Sequence, residues 1–339
     1  MNRDNDKIAQ NRIMWIDVAK GICIISVILG HLGIDFINRI VFMYHLPVFF
    51  LLAGYFLKKR PDGEFVAAKA KRLLIPYFAT CAAVCVIGAL RTGGSKIDTL
   101  VSWIYASLYG AGDSWDWPFH IKAIGAIWFL WALFWALIIV NHFVDKSFYR
   151  IVIFCIAFIG WASFDRTQVW LPLSIQAGML ASLYVLIGYE IRKNNLLEHL
   201  NGWELLGCFL VFAWSIWGFK GFWLVHNYMG NGWIDFIASI CSSVVIIYLS
   251  RYICGRSYIL WRLLGWFGRN SLVILCFHII ELNVLPIAKF IGKRASAFPS
   301  LNPTATTLVI IAAKIIYVVF AAAAFGYACK MVKCVKRDG

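Results

Sequence analysis

Three residues in the first apolar stretch have the types and spacing to do chemistry. In WIDVAKGICIISVILGHLG, Trp15 to Gly33, the ionisable residues Asp17, Lys20 and His31 stand among residues that otherwise suit lipid. An ionisable group inside a spanning helix costs a few kcal/mol, so it tends to face a cavity or pair with another charge. Asp17 and Lys20 are i, i+3 neighbours and can pair, which would orient the lysine. Lys20 and His31 are eleven residues apart. On a helix they would lie about 16 Å apart along the axis but only about 20° apart around it. One stripe then carries a cation near one membrane face and an imidazole near the other. A neutral imidazole suits general-base work near pH 7. A snorkelling lysine and a structural histidine are the plainer explanation, and either residue alone would be ordinary.

Further candidates follow along the chain. HLPVFFLLAGYFLKKR, His45 to Arg60, carries Pro47 near a helix start, where the missing amide is harmless, and Ala53 and Gly54, which permit close helix contact. In FVAAKAKRLLIPYF, Lys69 and Arg72 are i, i+3 and share a face at the mouth of the next helix. Clustered cations there bind anionic lipid or fix topology; they can also hold a phosphorylated ligand. His278 and Glu281 are again i, i+3. They could orient a substrate or assist a base, and a buried hydrogen-bonded pair joining two helices fits them equally. Tyr44, His45 and Trp128 could line the same cavity, although no spacing argument fixes them there. His120, His142, His199 and His226 fall in loops or at helix ends and read as non-catalytic. The sequence has no HExxH, no cluster with metal-ligand spacing and no GxSxG elbow, so no metal is expected.

The elements that must position these residues are membrane helices. Of 339 residues, 61% are hydrophobic and 14% charged, more apolar surface than a soluble chain of this length can hide. Long continuous apolar runs exclude a barrel of alternating strands. The reading is an all-α polytopic membrane protein with about ten spans: 13–34, 40–57, 73–90, 124–142, 149–165, 171–190, 203–219, 233–253, 270–288 and 306–329. Residues 100–110 are too short to cross alone. With the N-terminus cytoplasmic, 21 of the 32 Lys and Arg residues fall on inner segments and nine on outer ones. That asymmetry puts both termini inside. It also accounts for the net charge of +15 without nucleic acid. Lys20 and Lys314 are the two cations left inside spans. The ten cysteines form no CxxC pair and read as small buried hydrophobes. One membrane-embedded domain over 1–339 is expected, with short cytoplasmic tails at about 1–12 and 330–339. The outer loop 91–123 is rich in Trp, Gly and Asp; it suits either sugar stacking or an interfacial aromatic belt.

Taken in order, WIDVAKGICIISVILGH, HLPVFFLLAGYFLKK, KAKRLLIPYF, GAIWFLWALF and RNSLVILCFHIIEL resemble acyltransferase family 3 of integral membrane proteins. The flavour is that of its sugar O-acetylase branch, the fucose 4-O-acetylase-like proteins. The basic residue, ten residues, then His of the family's first helix matches at Lys20 and His31. The basic-x-x-basic motif matches at Lys69 and Arg72, and the histidine of the family's late Ser-Leu helix at His278. Both basic motifs put Lys first where the family commonly has Arg, a point charge in place of a bidentate fork. The resemblance implies acyl transfer, usually acetyl, from cytosolic acetyl-CoA to a hydroxyl of a cell-surface glycan or its lipid-linked precursor, in a bacterial inner membrane. O-antigen, capsule and exopolysaccharide are all open as acceptors. On that reading Lys20, Lys69 and Arg72 hold phosphates with Asp17 orienting Lys20. His31 is the base, His278 and Glu281 assist, and His45 and Trp128 meet substrate. A transporter or flippase of a glycan or lipid-linked intermediate, or a membrane scaffold, is the competing class. Membrane lipid is an expected partner in every case.

Overall fold

The computed structural model describes residues 2–295 and 302–335 and is helical almost throughout. The first helix, α1, is Asn2–Gly30; α2 is Asp35–Val41 and α3 His45–Tyr55. Next come α4 (Asp62–Lys69), a π-helical turn (Ala70–Leu74), α5 (Ile75–Arg91) and α6 (Lys96–Tyr109). The middle holds α7 (Trp128–Phe143), α8 (Tyr149–Thr167), α9 (Ile175–Lys193), the short α10 (Leu196–His199) and α11 (Gly202–Trp217). Two residue pairs, β1 (Phe222–Trp223) and β2 (Tyr228–Met229), form an antiparallel hairpin. The chain closes with α12 (Trp233–Arg256), α13 (Tyr258–Arg269), α14 (Ser271–Val284), α15 (Ile287–Ala295) and α16 (Pro303–Val335).

Each of the ten apolar segments read from sequence is mainly helical. Among the described residues, five stretches are long and apolar enough to cross a bilayer: Asp35–Tyr55, Asp62–Arg91, Pro172–Lys193, Trp233–Arg256 and Pro303–Met331. The pair α13 and α14, bent by 67° at Asn270, passes the same test jointly. The chain is therefore an all-α membrane protein. At the tails, the backbone of residues 2–12 continues α1 and that of 330–335 continues α16. Residues 1 and 336–339 lie outside the described residues.

Residues 100–110 belong to α6. The Ser95 hydroxyl accepts the Asp98 amide at 3.2 Å at its start, and Gly110, at φ 71°, ends it in the left-handed region. Its side is fixed to α5 by Tyr77, whose hydroxyl donates to the Ser107 carbonyl at 2.7 Å.

Two glycine crossings set the framework around the first helix. A side chain on Gly21 of α1 would meet the Leu264 carbonyl of α13 at 2.0 Å, and one on Gly268 of α13 would meet the Asp17 carbonyl of α1 at 1.7 Å. The arrangement repeats between α3 and α9: a side chain on Gly54 would meet the Val185 carbonyl, and one on Gly188 the Leu51 carbonyl, both at 1.9 Å. Backbones this close require small residues on both helices, and dispersion between them replaces the hydrophobic drive that lipid removes. Residues 258–269, read from sequence as an inner connection, are thus a helix clamped along α1.

At the opposite side of α3, Asp62 joins α4 to α7. Its carboxylate receives His142 Nδ1 at 2.6 Å and Asn141 Nδ2 at 2.8 Å, while Lys59 Nζ donates to the Asn141 carbonyl at 2.6 Å. His142 is occupied in this staple.

Candidate active site

One cavity of about 710 Å³ collects most of the residues singled out above. Lys20, Ile24, Val27 and His31 line it from α1, His45 and Phe49 from α3, and Trp128 and Phe129 from α7. Lys69 and Arg72 line it around the π turn. Ser271, Leu275 and Asn283 line it from α14. The stripe on α1 therefore faces one space, a cation toward its start and an imidazole at its end. Between them the wall is apolar. α14 runs alongside in the same sense, since Gly268 before it packs on Asp17 and His278 within it meets His31.

The cation end is built by a broken helix. Pro76 has no amide hydrogen to give the Arg72 carbonyl four residues before it. The chain responds by widening into the π turn Ala70–Leu74 ahead of α5. Lys69 and Arg72 flank and occupy that turn and look into the cavity. Among the described residues no carboxylate lies within ion-pair distance of Lys20, Lys69 or Arg72; the nearest feature of Lys69 is the Phe65 ring, 4.9 Å below its ammonium. Arg72 repels both lysines. Three cations gathered at one end of the cavity, with Asp17 in coulombic reach of Lys20 alone, leave that end net positive.

Asp17 attracts Lys20, three residues on, without coming within ion-pair distance of it. Its carboxylate pairs with Arg269 of α13 at 3.6 Å, because Gly268 draws the backbone of α13 onto Asp17 and delivers the next residue beside it. Asp17 is outside the cavity wall, and Lys20 faces the cavity with Asp17 behind it as an electrostatic partner.

At the other end two imidazoles are preset. His31 Nδ1 lies 2.7 Å from the Val27 carbonyl, and His45 Nδ1 lies 2.6 Å from the Val41 carbonyl. A carbonyl only accepts, so in each ring Nδ1 carries the hydrogen and Nε2 holds the lone pair. Each ring also caps a helix end, His31 the last turn of α1 and His45 that of α2. His31 is exposed where it meets the cavity, whereas His45 is buried. Trp128, buried at the start of α7, fits its indole over Gly112, where a side chain would meet it at 2.1 Å.

His278 and Glu281 do not line the cavity; they stand behind His31. The His278 ring meets that of His31 edge-on, with centroids 5.2 Å apart and planes at 74°. Its Nδ1 is 3.4 Å from Glu281 Oε2, and neither ring nitrogen makes a hydrogen bond. Glu281 is gripped by Lys314 Nζ of α16 at 2.6 and 2.8 Å.

The structure adds residues that the sequence reading left without a role. Asp113, Trp223 and Asn283 line the cavity. Asp113 sits in the Trp-, Gly- and Asp-rich loop, which is the only signal that could have found it. His226 is boxed by Trp115, Phe164 and Trp170, with its Nε2 3.5 Å from Asp113 Oδ2. That imidazole holds the Asp113 carboxyl below the usual carboxylate range, against the opposing effect of burial. Asn283 donates to the Ile124 carbonyl at 3.0 Å, tying α14 to the loop before α7. Among the described residues no group of three His, Cys, Asp or Glu side chains is placed to hold a metal.

Comparison with known proteins bears on this geometry. The model of the acyltransferase 3 family, described as an acyltransferase domain, matches residues 13–325. The chain belongs to the acyltransferase 3 family. It is also similar to two proteins called nodulation protein NolL. That of Sinorhizobium fredii (strain NBRC 101917 / NGR234) is 26% identical over 243 residues, 65% of this chain and 63% of the relative. That of Mesorhizobium japonicum (strain LMG 29417 / CECT 9101 / MAFF 303099) is 27% identical over 165 residues, 43% and 39% of the two chains. The chain thus spans less than two thirds of the length of these curated relatives. No solved structure matches it significantly. The cavity has a cationic end, an apolar stretch and an imidazole with an open lone pair.

Proposed function

We propose that this acyltransferase moves an acetyl group from cytosolic acetyl-CoA to a hydroxyl of a cell-surface polysaccharide sugar or its lipid-linked precursor, in the cytoplasmic membrane of a bacterium. One observation carries the reading. A single cavity has three cations at one end, none with a carboxylate within ion-pair distance among the described residues, and His31 with Nε2 free eleven residues after the first of them. The offset of about 16 Å is that of a nucleotide-anchored thioester on an extended pantetheine arm. The cation asymmetry of the sequence supports ten spans, with Lys20, Lys69 and Arg72 on the cytoplasmic side.

In this mechanism Lys20, Lys69 and Arg72 hold the phosphates of the donor. Ile24 and Val27 flank its arm. His31 Nε2 takes the proton of the acceptor hydroxyl as that oxygen bonds to the acyl carbon. The thioester C–S bond then breaks, and the proton passes from His31 to the leaving thiolate, giving the ester and free CoA. His45, with the same tautomer, orients the thioester or the acceptor. Asp113, Trp223, Trp128 and Asn283 offer a carboxylate, two indoles and an amide, the groups that hydrogen-bond and stack on a sugar. They therefore form the acceptor side.

The test is label transfer from radiolabelled acetyl-CoA into glycans of membrane vesicles, wild type against His31→Ala at matched insertion. Labelling by wild type that drops at least about 100-fold in the variant is expected of a lost general base. Equal labelling would take His31 out of the chemistry. A wild type that labels no glycan in its native host's vesicles would refute the acetyl-transfer reading.

A further inference from the structure

Lys314 is a buried charge that the mechanism above does not use. It lies on α16, where its neighbours are apolar, and it is 1% exposed. Its ammonium makes two bonds to the Glu281 carboxylate, also 1% exposed. A buried ion pair of this kind is a poor source of stability, since well-packed apolar residues of similar volume commonly serve as well or better. The pair is not isolated, however. Glu281 Oε2 is 3.4 Å from His278 Nδ1, and His278 is fully buried with both nitrogens unbonded. The far side of that ring abuts His31. The contacts thus form one line across three helices: Lys314, Glu281, His278, His31.

We infer that Lys314 is a positioning residue of the transfer reaction, keeping Glu281 charged and fixed so that Glu281 orients His278 behind the base His31. The inference rests on the acyl-transfer reading above. Its logic is electrostatic. Alone at this depth, Glu281 would take up a proton to escape the cost of a buried charge. A charged, doubly bonded carboxylate instead offers His278 a fixed acceptor. The 3.4 Å gap closes on a small rotation of the ring, as hydrogen bonds in an unliganded site commonly do when substrate binds. Lys314 repels a charge on either imidazole, and the Glu281 carboxylate, 3.4 Å from His278 Nδ1, attracts one on His278. When His31 accepts the hydroxyl proton, the cation that forms there faces His278 with a carboxylate behind it. The groups that face this pair of rings are His45 from α3, Glu281 from α14 and Lys314 from α16.

The experiment measures label transfer from acetyl-CoA in vesicles for wild type, Lys314→Met and the double variant Glu281→Gln/Lys314→Met, with insertion and melting temperature recorded for each. Lys314→Met should lower kcat roughly 10- to 100-fold and leave KM for acetyl-CoA unchanged, the loss expected when a reacting group is misplaced by about 1 Å. The double variant buries no charge, so it should insert and melt like wild type. Its kcat should stay low, because nothing then orients His278. A merely structural pair predicts the opposite: activity that returns with stability in the double variant. Wild-type kcat in the double variant, or in a well-inserted Lys314→Met protein, overturns the inference and leaves the acyl-transfer reading standing. No transfer by wild type refutes that reading and removes the inference with it.

Discussion

The cation end of the cavity supports a prediction in which binding and stability separate. Arg72 is exposed and has no carboxylate within ion-pair distance among the described residues, so Arg72→Ala should change stability by no more than about 0.5 kcal/mol. On the proposed donor site it would remove a charge-assisted contact to a phosphate, worth about 1.5–3 kcal/mol, or a factor of about 10 to 150 in affinity. Loss of the repulsion that Arg72 exerts on Lys20 and Lys69 relaxes the two lysines and trims this toward the lower end. The expected outcome is a rise of at least tenfold in KM for acetyl-CoA with kcat changed less than twofold. The assay is initial-rate transfer in vesicles over a donor series, with adenosine 3′,5′-bisphosphate as competitor and thermal unfolding in detergent as control. The inhibition constant of the bisphosphate should rise by the same factor as KM, because it carries phosphates and no acyl arm. A KM and inhibition constant both within twofold of wild type, in a protein that melts normally, would refute the assignment of this mouth to the donor. A fall in kcat at constant KM would refute it as well.

Other consequences are open to measurement. Gly54→Ala puts a methyl group 1.9 Å from the Val185 carbonyl. It should cost about 1–3 kcal/mol or more by overpacking, seen as a lower melting temperature, whereas Gly63→Ala, with open space around it, should not. Lys69→Ala should raise KM for acetyl-CoA, and the effect should shrink as salt is added, since Lys69 is only half buried. Asp113→Asn should raise KM for the glycan acceptor and leave that for acetyl-CoA alone; the reverse would place Asp113 on the donor side. Because the His226 contact holds the Asp113 carboxyl below its ordinary value of 3.8, its stabilising contribution is complete above that pH. The contribution is lost as pH falls through the lower folded value. Acid unfolding of wild type below pH 4 should therefore carry a component that Asp113→Asn lacks.

How much of this was legible in the sequence depended on range. The stripe of Lys20 and His31 follows from helical period alone, and the spacing of Lys69 and Arg72 was equally readable. Pro76 marks the place where the helix carrying them must break. Helix content in the ten apolar segments was readable for the same reason, since lipid forces the backbone to satisfy itself. Pairings across the bundle were not readable. Asp17 attracts the lysine three residues away, as its spacing suggests, but its close ion pair came from α13, an amphipathic helix disguised as a basic connection. Lys314 stood out as a lysine in an apolar run, but its partner is 33 residues earlier in the chain, beyond any periodicity. His45 and Trp128 reach the cavity through the packing of α3 and α7 around it, for which sequence spacing carries no signal. Asp113 reached it through a loop whose course depends on Gly112 yielding to an indole.

The apolar wall between the two ends of the cavity bears on permeability. A membrane that stores a proton gradient tolerates a passage for a thin acyl arm only if hydrated ions are refused in its absence. Ile24 and Val27, between Lys20 and His31 on α1, line the passage together with Phe49, Leu130 and Leu133, all apolar. Three positive charges at one mouth repel hydronium and sodium before they reach it. Hydrophobic constrictions and fixed charges are what channels use to close. Replacing Val27 with a polar residue would test this by its ion leak, read from the collapse of the membrane potential in cells that carry it.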